Sequence, residues 1–234
     1  MTKIYVIGVG PGSPDYITPI ARKVVQNAHL IIGSKRALSL FLEDIKGDIL
    51  SLTSESIGEA IDYAVESAKI GKIVAILSTG DPGFAGLLRP VLNKTTDSVD
   101  VEVIPGISSI QICAARLNMC WDETDLFSFH EGVSYEKKMK LVKAVKEKRD
   151  IILLPDPKSF PPKEIARFLI NNGISEETTA IVCENLTLPN EKIIIGNLKK
   201  ILNLDFGPLC VMVVKGFHRI RKFLSCWNDE YVGL

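Results

Sequence analysis

The 234-residue chain reads as an α/β protein of two α/β domains, mainly parallel in its N-terminal half and mixed in its C-terminal half. Two observations carry this reading. Short apolar runs alternate with helix-length segments through most of the chain, the pattern of strands joined by helical crossovers. The pattern pauses near Asn118–Asp125 and then starts a second series, in which two strand-length runs stand close enough to form a hairpin, so the later sheet is expected to be mixed. The expected domains are 1–118 and 119–234.

The elements follow in order. Ile4–Val9 is the first strand. Thr18 is an N-cap, and Pro19 suits the first helical position because its missing N–H would be unpaired there anyway, so a helix is expected to about Asn27. Leu30–Ile32 is a strand and Lys35–Leu42 a short helix. Ser54 is expected to cap a longer helix that stops at Gly71, directly before strand Ile73–Leu77. Val101–Ile104 is a strand, and Ser108–Leu117 a helix apolar enough to be well buried. In the second series come strand Leu126–His130, a Lys-rich helix from Ser134 to about Glu147, strand Ile151–Leu154, and helix Pro162–Ile170 ended by Gly173. Strands Thr179–Cys183, Lys192–Ile195 and Leu209–Val214 close the series. The charge run Lys137–Arg149 reads as a solvated helix face.

Composition narrows the function. Lys plus Arg and Asp plus Glu are both 28, a net charge of zero, whereas nucleic-acid binders carry a basic surplus. No nucleic-acid partner is expected. The longer apolar runs, such as Ile151–Leu154 and Val211–Val214, are strand-length, so no membrane partner is expected either. Met1 to Val9 turns at once into a strand and glycines, without the apolar region and cleavage site of a signal peptide. The five cysteines, Cys113, Cys120, Cys183, Cys210 and Cys226, form an odd set without C-x-x-C spacing and read as reduced thiols of a cytoplasmic protein. The three histidines, His29, His130 and His218, show no paired ligand spacing, so no metal site is expected.

Three glycine-bearing loops each follow a strand. Gly8-Val9-Gly10-Pro11-Gly12-Ser13-Pro14 resembles a dinucleotide fingerprint but lacks its third glycine and delays its helix to Pro19. Ser34-Lys35-Arg36 after the second strand could still grip a 2′-phosphate, which keeps an NADP-dependent oxidoreductase open, and a plain tight turn is the bland alternative. Thr79-Gly80-Asp81-Pro82-Gly83-Phe84 lies at the carboxyl end of a parallel strand, where open α/β sheets bind ligands. There Gly80 and Gly83 would let a ligand approach the backbone. Pro105-Gly106-Ile107-Ser108-Ser109 puts two hydroxyls at a helix start, as a ligand loop or as simple capping.

Taken together, these loops resemble those of the tetrapyrrole methylase family. The likeness continues in Ala180-Ile181-Val182-Cys183-Glu184-Asn185-Leu186, Glu191-Lys192 and Gly196-Asn197-Leu198. Gly33-Ser34-Lys35-Arg36, Phe84 and Ser128-Phe129-His130 are most similar to members that methylate carbon 5 of a late corrin intermediate. One departure is His130-Glu131-Gly132, where relatives often read His-Gly-Arg, so no role for that arginine carries over.

The resemblance implies two α/β domains with the active site in the cleft between them. It implies a cytoplasmic S-adenosylmethionine-dependent C-methyltransferase of cobalamin biosynthesis, working as a homodimer on a tetrapyrrole or corrin substrate. Cofactor contacts would fall at Pro11, Thr79, Gly80, Asp81, Phe84, Ser108 and Ser109, and at Pro155, Leu186 and Leu209 in the second half. Asp81 would be the contact made by side-chain chemistry. Lys35, Arg36, Arg89 and Arg116 are candidates for holding substrate carboxylates, or else solvated surface charges. His130 is a candidate general base, or else an ordinary half-buried histidine. Phe127 and Phe129 share one strand face and Ser128 and His130 the other, so either the aromatic pair or His130 faces a bound ring, not both. Besides the NADP-dependent oxidoreductase, a methyltransferase for another carbon of the precorrin ring and a non-catalytic binding module with the same fold stand as alternatives.

Overall fold

A computed structural model describes residues 3–95 and 99–216. Cys226 and His218 lie outside the described residues. The chain divides into two compact units, Met1–Ser109 and Ile110–Leu234. The sequence pattern puts the division near residue 118, at the far end of the helix that begins at Ser109. The apolar side of that helix explains the difference, because Cys113 packs on Cys183 of the second unit, sulfur to sulfur at 3.7 Å.

The N-terminal unit runs β1 (Lys3–Gly8), α1 (Pro19–Asn27), β2 (Leu30–Gly33), α2 (Lys35–Ser39), β3 (Asp48–Ser51), α3 (Ile57–Lys69), β4 (Ile73–Ser78), α4 (Leu88–Lys94) and β5 (Asp100–Ile104). All neighbours in its sheet are parallel, in the order β3-β2-β4-β1-β5. Helices cover both faces, which is why the inner strands are apolar at consecutive positions. Ile4, Val6, Val74 and Ile76 pack with α3 on one face. Ile7, Ala75 and Leu77 pack with Ala21 and Val25 of α1 on the other. Thr18 caps α1 by accepting from the Ala21 N–H at 3.3 Å, as its sequence requires. Gly71, at φ +89, ends α3. Ser54 does not cap α3. The helix starts after Ser56, whose hydroxyl instead accepts from the Thr53 N–H. The pattern also misses β3 and α4, which are short and half-exposed; Ile49 on β3 is 52% exposed.

The C-terminal unit takes in α5 (Ser109–Arg116) from Ile110 onward, then β6 (Asp125–Ser128), α6 (Tyr135–Lys146), β7 (Ile151–Leu154), α7 (Pro162–Asn171), β8 (Thr179–Glu184), β9 (Lys192–Asn197), α8 (Leu198–Leu202) and β10 (Cys210–Val214). Its sheet has the order β6-β7-β10-β8-β9. The β6/β7 pair is parallel and the other pairs are antiparallel, including the β8/β9 hairpin, so the sheet is mixed. Phe160 is the aromatic hub of its core, edge-on to Phe129 at 4.8 Å and to Phe168 at 5.9 Å. The lysine run on α6 is only partly a solvated face. Lys140 and Lys143 pair with Glu136 and Glu147 in solvent, but the Lys138 ammonium lies 4.2 Å from the Phe160 ring centre and the Lys137 ammonium 5.5 Å from that of Phe129. Among the described residues no helix is long and apolar enough to cross a membrane.

Because Phe160 is buried and touches two rings, Phe160→Ala is expected to cost about 3–5 kcal/mol. Lys140→Ala, on an exposed pair, should cost under about 1 kcal/mol. Urea denaturation with far-UV circular dichroism checks both, and equal costs would refute the hub assignment.

Candidate functional site

Sheet order decides where the loops go. β1 lies between β4 and β5, all parallel, so their carboxyl ends finish side by side. The three glycine loops leave from these ends and cross at backbone contact. The Gly80 N–H donates to the Gly10 carbonyl at 2.9 Å, and these two residues form an isolated antiparallel bridge. A Cβ on Gly8 would stand 2.4 Å from the Gly106 nitrogen, and one on Gly106 would stand 2.4 Å from the Gly80 carbonyl oxygen. Gly10 and Gly80 also have positive φ, +83 and +70, where a side chain is strained. Gly8 and Gly106 therefore serve first to let the loops touch one another, whereas Gly80, whose Cβ would meet only the Ser108 Cα at 3.7 Å, is called for by its positive φ.

Asp81 ties this crossing together. Its Oδ1 accepts from the Gly83 N–H at 2.8 Å and its Oδ2 from the Gly106 N–H at 3.1 Å. A carboxylate has about four acceptor positions, so capacity for a ligand remains. Around it, Pro11 and Ser108 are buried, Phe84 and Ser109 half-buried, and Thr79 and Gly83 exposed. Ser78, which the sequence reading passed over, closes the same loop: its buried hydroxyl accepts from the Leu87 N–H at 3.1 Å. The signal was present as a serine ending an otherwise apolar strand.

The loop after β1 does not run into a helix N-terminus. A single turn, Pro14–Tyr16, comes first, and α1 starts at Pro19. The Ser34 hydroxyl caps α2 by accepting from the Ala37 N–H at 3.2 Å, the plain capping role of a serine at a helix start. A shallow pocket lined by His29, Lys46, Asp48 and Lys72 lies at the amino edge of this sheet, and no candidate residue lines it.

The candidate cations differ in their surroundings. Lys35 and Arg89 are exposed. Arg116, at the end of α5, is engaged: its Nε donates to Glu191 Oε1 at 2.7 Å and its Nη2 to Oε2 at 3.4 Å. Arg36 is half-buried, no acidic side chain pairs with it among the described residues, and burial lowers its pKa.

In the C-terminal unit, His130 and Pro155 follow the neighbouring parallel strands β6 and β7. His130 shares a hydrogen bond with the Pro155 backbone. Although the residue as a whole is exposed, desolvation of its ring by the atoms around it pulls its pKa below the usual imidazole value, while Asp156, Pro155 and Glu131 pull the other way. Burial pushes the Asp156 carboxyl up, but hydrogen bonds from the Ser159 hydroxyl and the Ser159 and Lys158 N–H groups outweigh it and hold the carboxyl low. The question of which face of β6 points outward is resolved. Phe129 is wholly buried and Phe127 packs against the same core, whereas His130 is exposed. Leu186 is buried between Asn185 and Thr187, both with positive φ, and Leu209 is half-exposed at 40%. Cys113, Cys183 and Cys210 are buried, and burial pushes the Cys210 thiol up to about 12.

A parallel sheet whose braced loops gather at its carboxyl edge, followed by a mixed-sheet unit, defines a two-unit α/β protein, and that edge is where open α/β sheets bind small ligands. Relatives of the same build are known. A probable cobalt-precorrin-7 C(5)-methyltransferase of Methanocaldococcus jannaschii is 44% identical over 217 residues, covering 93% of this chain and 100% of the relative. The solved structure of a cobalt precorrin-4 methyltransferase matches with TM-score 0.75 and 25% identity, over 92% of this chain and 95% of the other. That of precorrin-6Y methylase from Archaeoglobus fulgidus matches with TM-score 0.70 and 28% identity, over 92% and 98%. With residues 3–202 also matching their common sequence pattern, the chain belongs to the tetrapyrrole (corrin/porphyrin) methylases.

The glycine crossing makes a direct expectation. Gly106→Ala should destabilise by about 1–3 kcal/mol or more, because its Cβ meets fixed backbone. Gly58→Ala, near the start of α3 with only the Lys94 ammonium at 3.7 Å, should be neutral or stabilising by up to about 1 kcal/mol. Melting temperatures compare them, and an unperturbed Gly106→Ala protein would show that the loops do not cross as described.

Proposed function

We propose that this chain is an S-adenosylmethionine-dependent C-methyltransferase that methylates carbon 5 of cobalt-precorrin-7 on the route to cobalamin, as a cytoplasmic homodimer. The observation that carries it is the braced loop trio, in a chain 44% identical along the whole of a relative described as a probable cobalt-precorrin-7 C(5)-methyltransferase. The choice of carbon is supported further by the Salmonella typhimurium cobalt-precorrin-7 C(5)-methyltransferase, 30% identical over 190 residues.

The donor set suits the cofactor. Thr79, Ser108 and Ser109 carry hydroxyls, Gly83 exposed backbone, Asp81 a carboxylate and Phe84 half-buried apolar surface, with Pro11 and Gly80 buried in the same loops. Such a set matches a molecule with an amino-acid end, a ribose and a flat base. Pro155, Leu186 and Leu209 would add contacts from the second half of the sequence. When bound, the cofactor supplies an activated methyl group on a sulfonium. The protein's part is then alignment of the accepting carbon, and proximity can lower such a barrier by about 7–11 kcal/mol. Arg36 is the best placed of the cations to hold a substrate carboxylate, because among the described residues no acidic side chain pairs with it and it is partly desolvated. Lys35 and Arg89 would assist from solvent, and Arg116 is held by Glu191. His130, neutral near pH 7, can accept the proton lost after attack, with Asp156 and Glu131 bearing on its charge.

The test is methyl transfer from labelled S-adenosylmethionine to cobalt-precorrin-7 and, in parallel, to uroporphyrinogen III, with the product carbon located by NMR. Methylation at carbon 5 of the first and none of the second is expected. Rapid turnover of uroporphyrinogen III would overturn the reading.

Two variants probe the roles. Asp81→Ala should weaken S-adenosylhomocysteine binding at least about tenfold in calorimetry, given about 1.5–3 kcal/mol for hydrogen bonds to charged groups. It should also lower the melting temperature, because both oxygens brace the loops. For His130 the sign follows from its lowered pKa. The base stays neutral below the ordinary value of 6.5, so activity should persist to that pH and fall only beneath it. His130→Gln should remove that acid limb and lower kcat about 10²-fold; an unaltered pH profile would rule out the base role.

A further inference from the structure

We propose that Glu191 is a positioning residue of the cofactor site, fixing the turn Asn185-Leu186-Thr187 through the Thr187 N–H while Arg116 holds its carboxylate in place. The inference rests on the proposed function, which gives Leu186 to the cofactor.

The turn lies between β8 and β9, and its backbone is unusual. Asn185 has φ +52 and Thr187 φ +68. Asparagine tolerates that region, but a β-branched residue is an outlier there and stays only if its surroundings hold it. The restraints are on both flanks. Glu191 Oε2 accepts from the Thr187 N–H at 2.6 Å. The Asn185 N–H donates to the Leu209 carbonyl at 2.8 Å. Between them Leu186 is 5% exposed. The two leucines assigned to the cofactor are therefore coupled through one strained turn.

Glu191 is itself fixed by a two-pronged contact with the Arg116 guanidinium, Nε to Oε1 and Nη2 to Oε2, which sets the carboxylate's plane as well as its place. Arg116 ends α5, and the same helix begins at Ser109, another residue assigned to the cofactor. The pair thus links that short helix to the β8–β9 turn. A surface ion pair would contribute little, but here one carboxylate oxygen is also the acceptor for a strained backbone N–H.

The experiment uses the full chain. Amide hydrogen exchange across residues 185–191 is read without ligand, S-adenosylhomocysteine affinity by calorimetry, and melting temperature alongside. In Glu191→Ala the turn should exchange faster and affinity fall about tenfold or more. Glu191→Gln keeps an oxygen for the Thr187 N–H and should retain most of the protection and affinity. Arg116→Gln should lie between the two and serves if Glu191→Ala fails to fold. Faster exchange with unchanged affinity, or a fall in affinity as large for Glu191→Gln as for Glu191→Ala, would overturn the positioning role. If the unmutated chain does not bind S-adenosylhomocysteine, the proposed function fails and takes this inference with it.

Discussion

The candidate site depends on one constraint: three loops leave adjacent parallel strands and must cross at a distance that admits no Cβ. Gly8, Gly80 and Gly106 meet backbone to backbone, and the Asp81 carboxylate spans two of the loops with one hydrogen bond each. This crossing fixes the direction in which Thr79, Ser108 and Ser109 leave the sheet. It also explains why these loops carry glycine without any appeal to a ligand. Gly8 and Gly106 are needed for the crossing, and Gly80 for its positive φ, before anything binds, and the surface that the crossing leaves exposed is the candidate site.

Carboxylates do similar work in the second unit. Glu184 accepts from the Gly207 N–H, Asp150 from the Gly216 N–H, Asp156 from the Lys158 and Ser159 N–H groups, and Glu191 from the Thr187 N–H. Each satisfies a donor that an irregular backbone leaves without a ladder partner. An acidic residue near a loop end in this chain is thus first a brace, and any role toward a ligand is added to that. Among the described residues no buried side-chain nitrogen or oxygen lacks a hydrogen bond, as such bracing requires.

The cations sort by the same logic. Guanidinium groups are useful to a polycarboxylate only if no internal carboxylate has claimed them. Arg116 is claimed by Glu191, whereas Arg36 sits half-buried with no acidic side chain paired to it among the described residues. On β6, packing likewise separates the aromatic side from the polar one: Phe129 is locked against Phe160 and Lys137, which leaves His130 as the group that meets solvent beside Pro155.

The amino-acid sequence by itself determined the α/β class, the parallel and mixed halves, the β8/β9 hairpin, and the helix ends at Thr18 and Gly71. All of these follow from apolar periodicity and local capping, which act over a few residues. It also marked the three glycine loops and the family likeness. The start of α3 at Ile57, the short β3 and α4, and the attachment of α5 to the second unit were decided by tertiary packing, because each depends on what covers a half-exposed segment. Only the folded chain could show that Gly8 faces Gly106, that Asp81 serves the Gly106 N–H, or that Arg116 is spent on Glu191. Those partners lie 25 to 98 residues apart in the sequence, and sheet order alone, with β1 between β4 and β5, brings the first loops together.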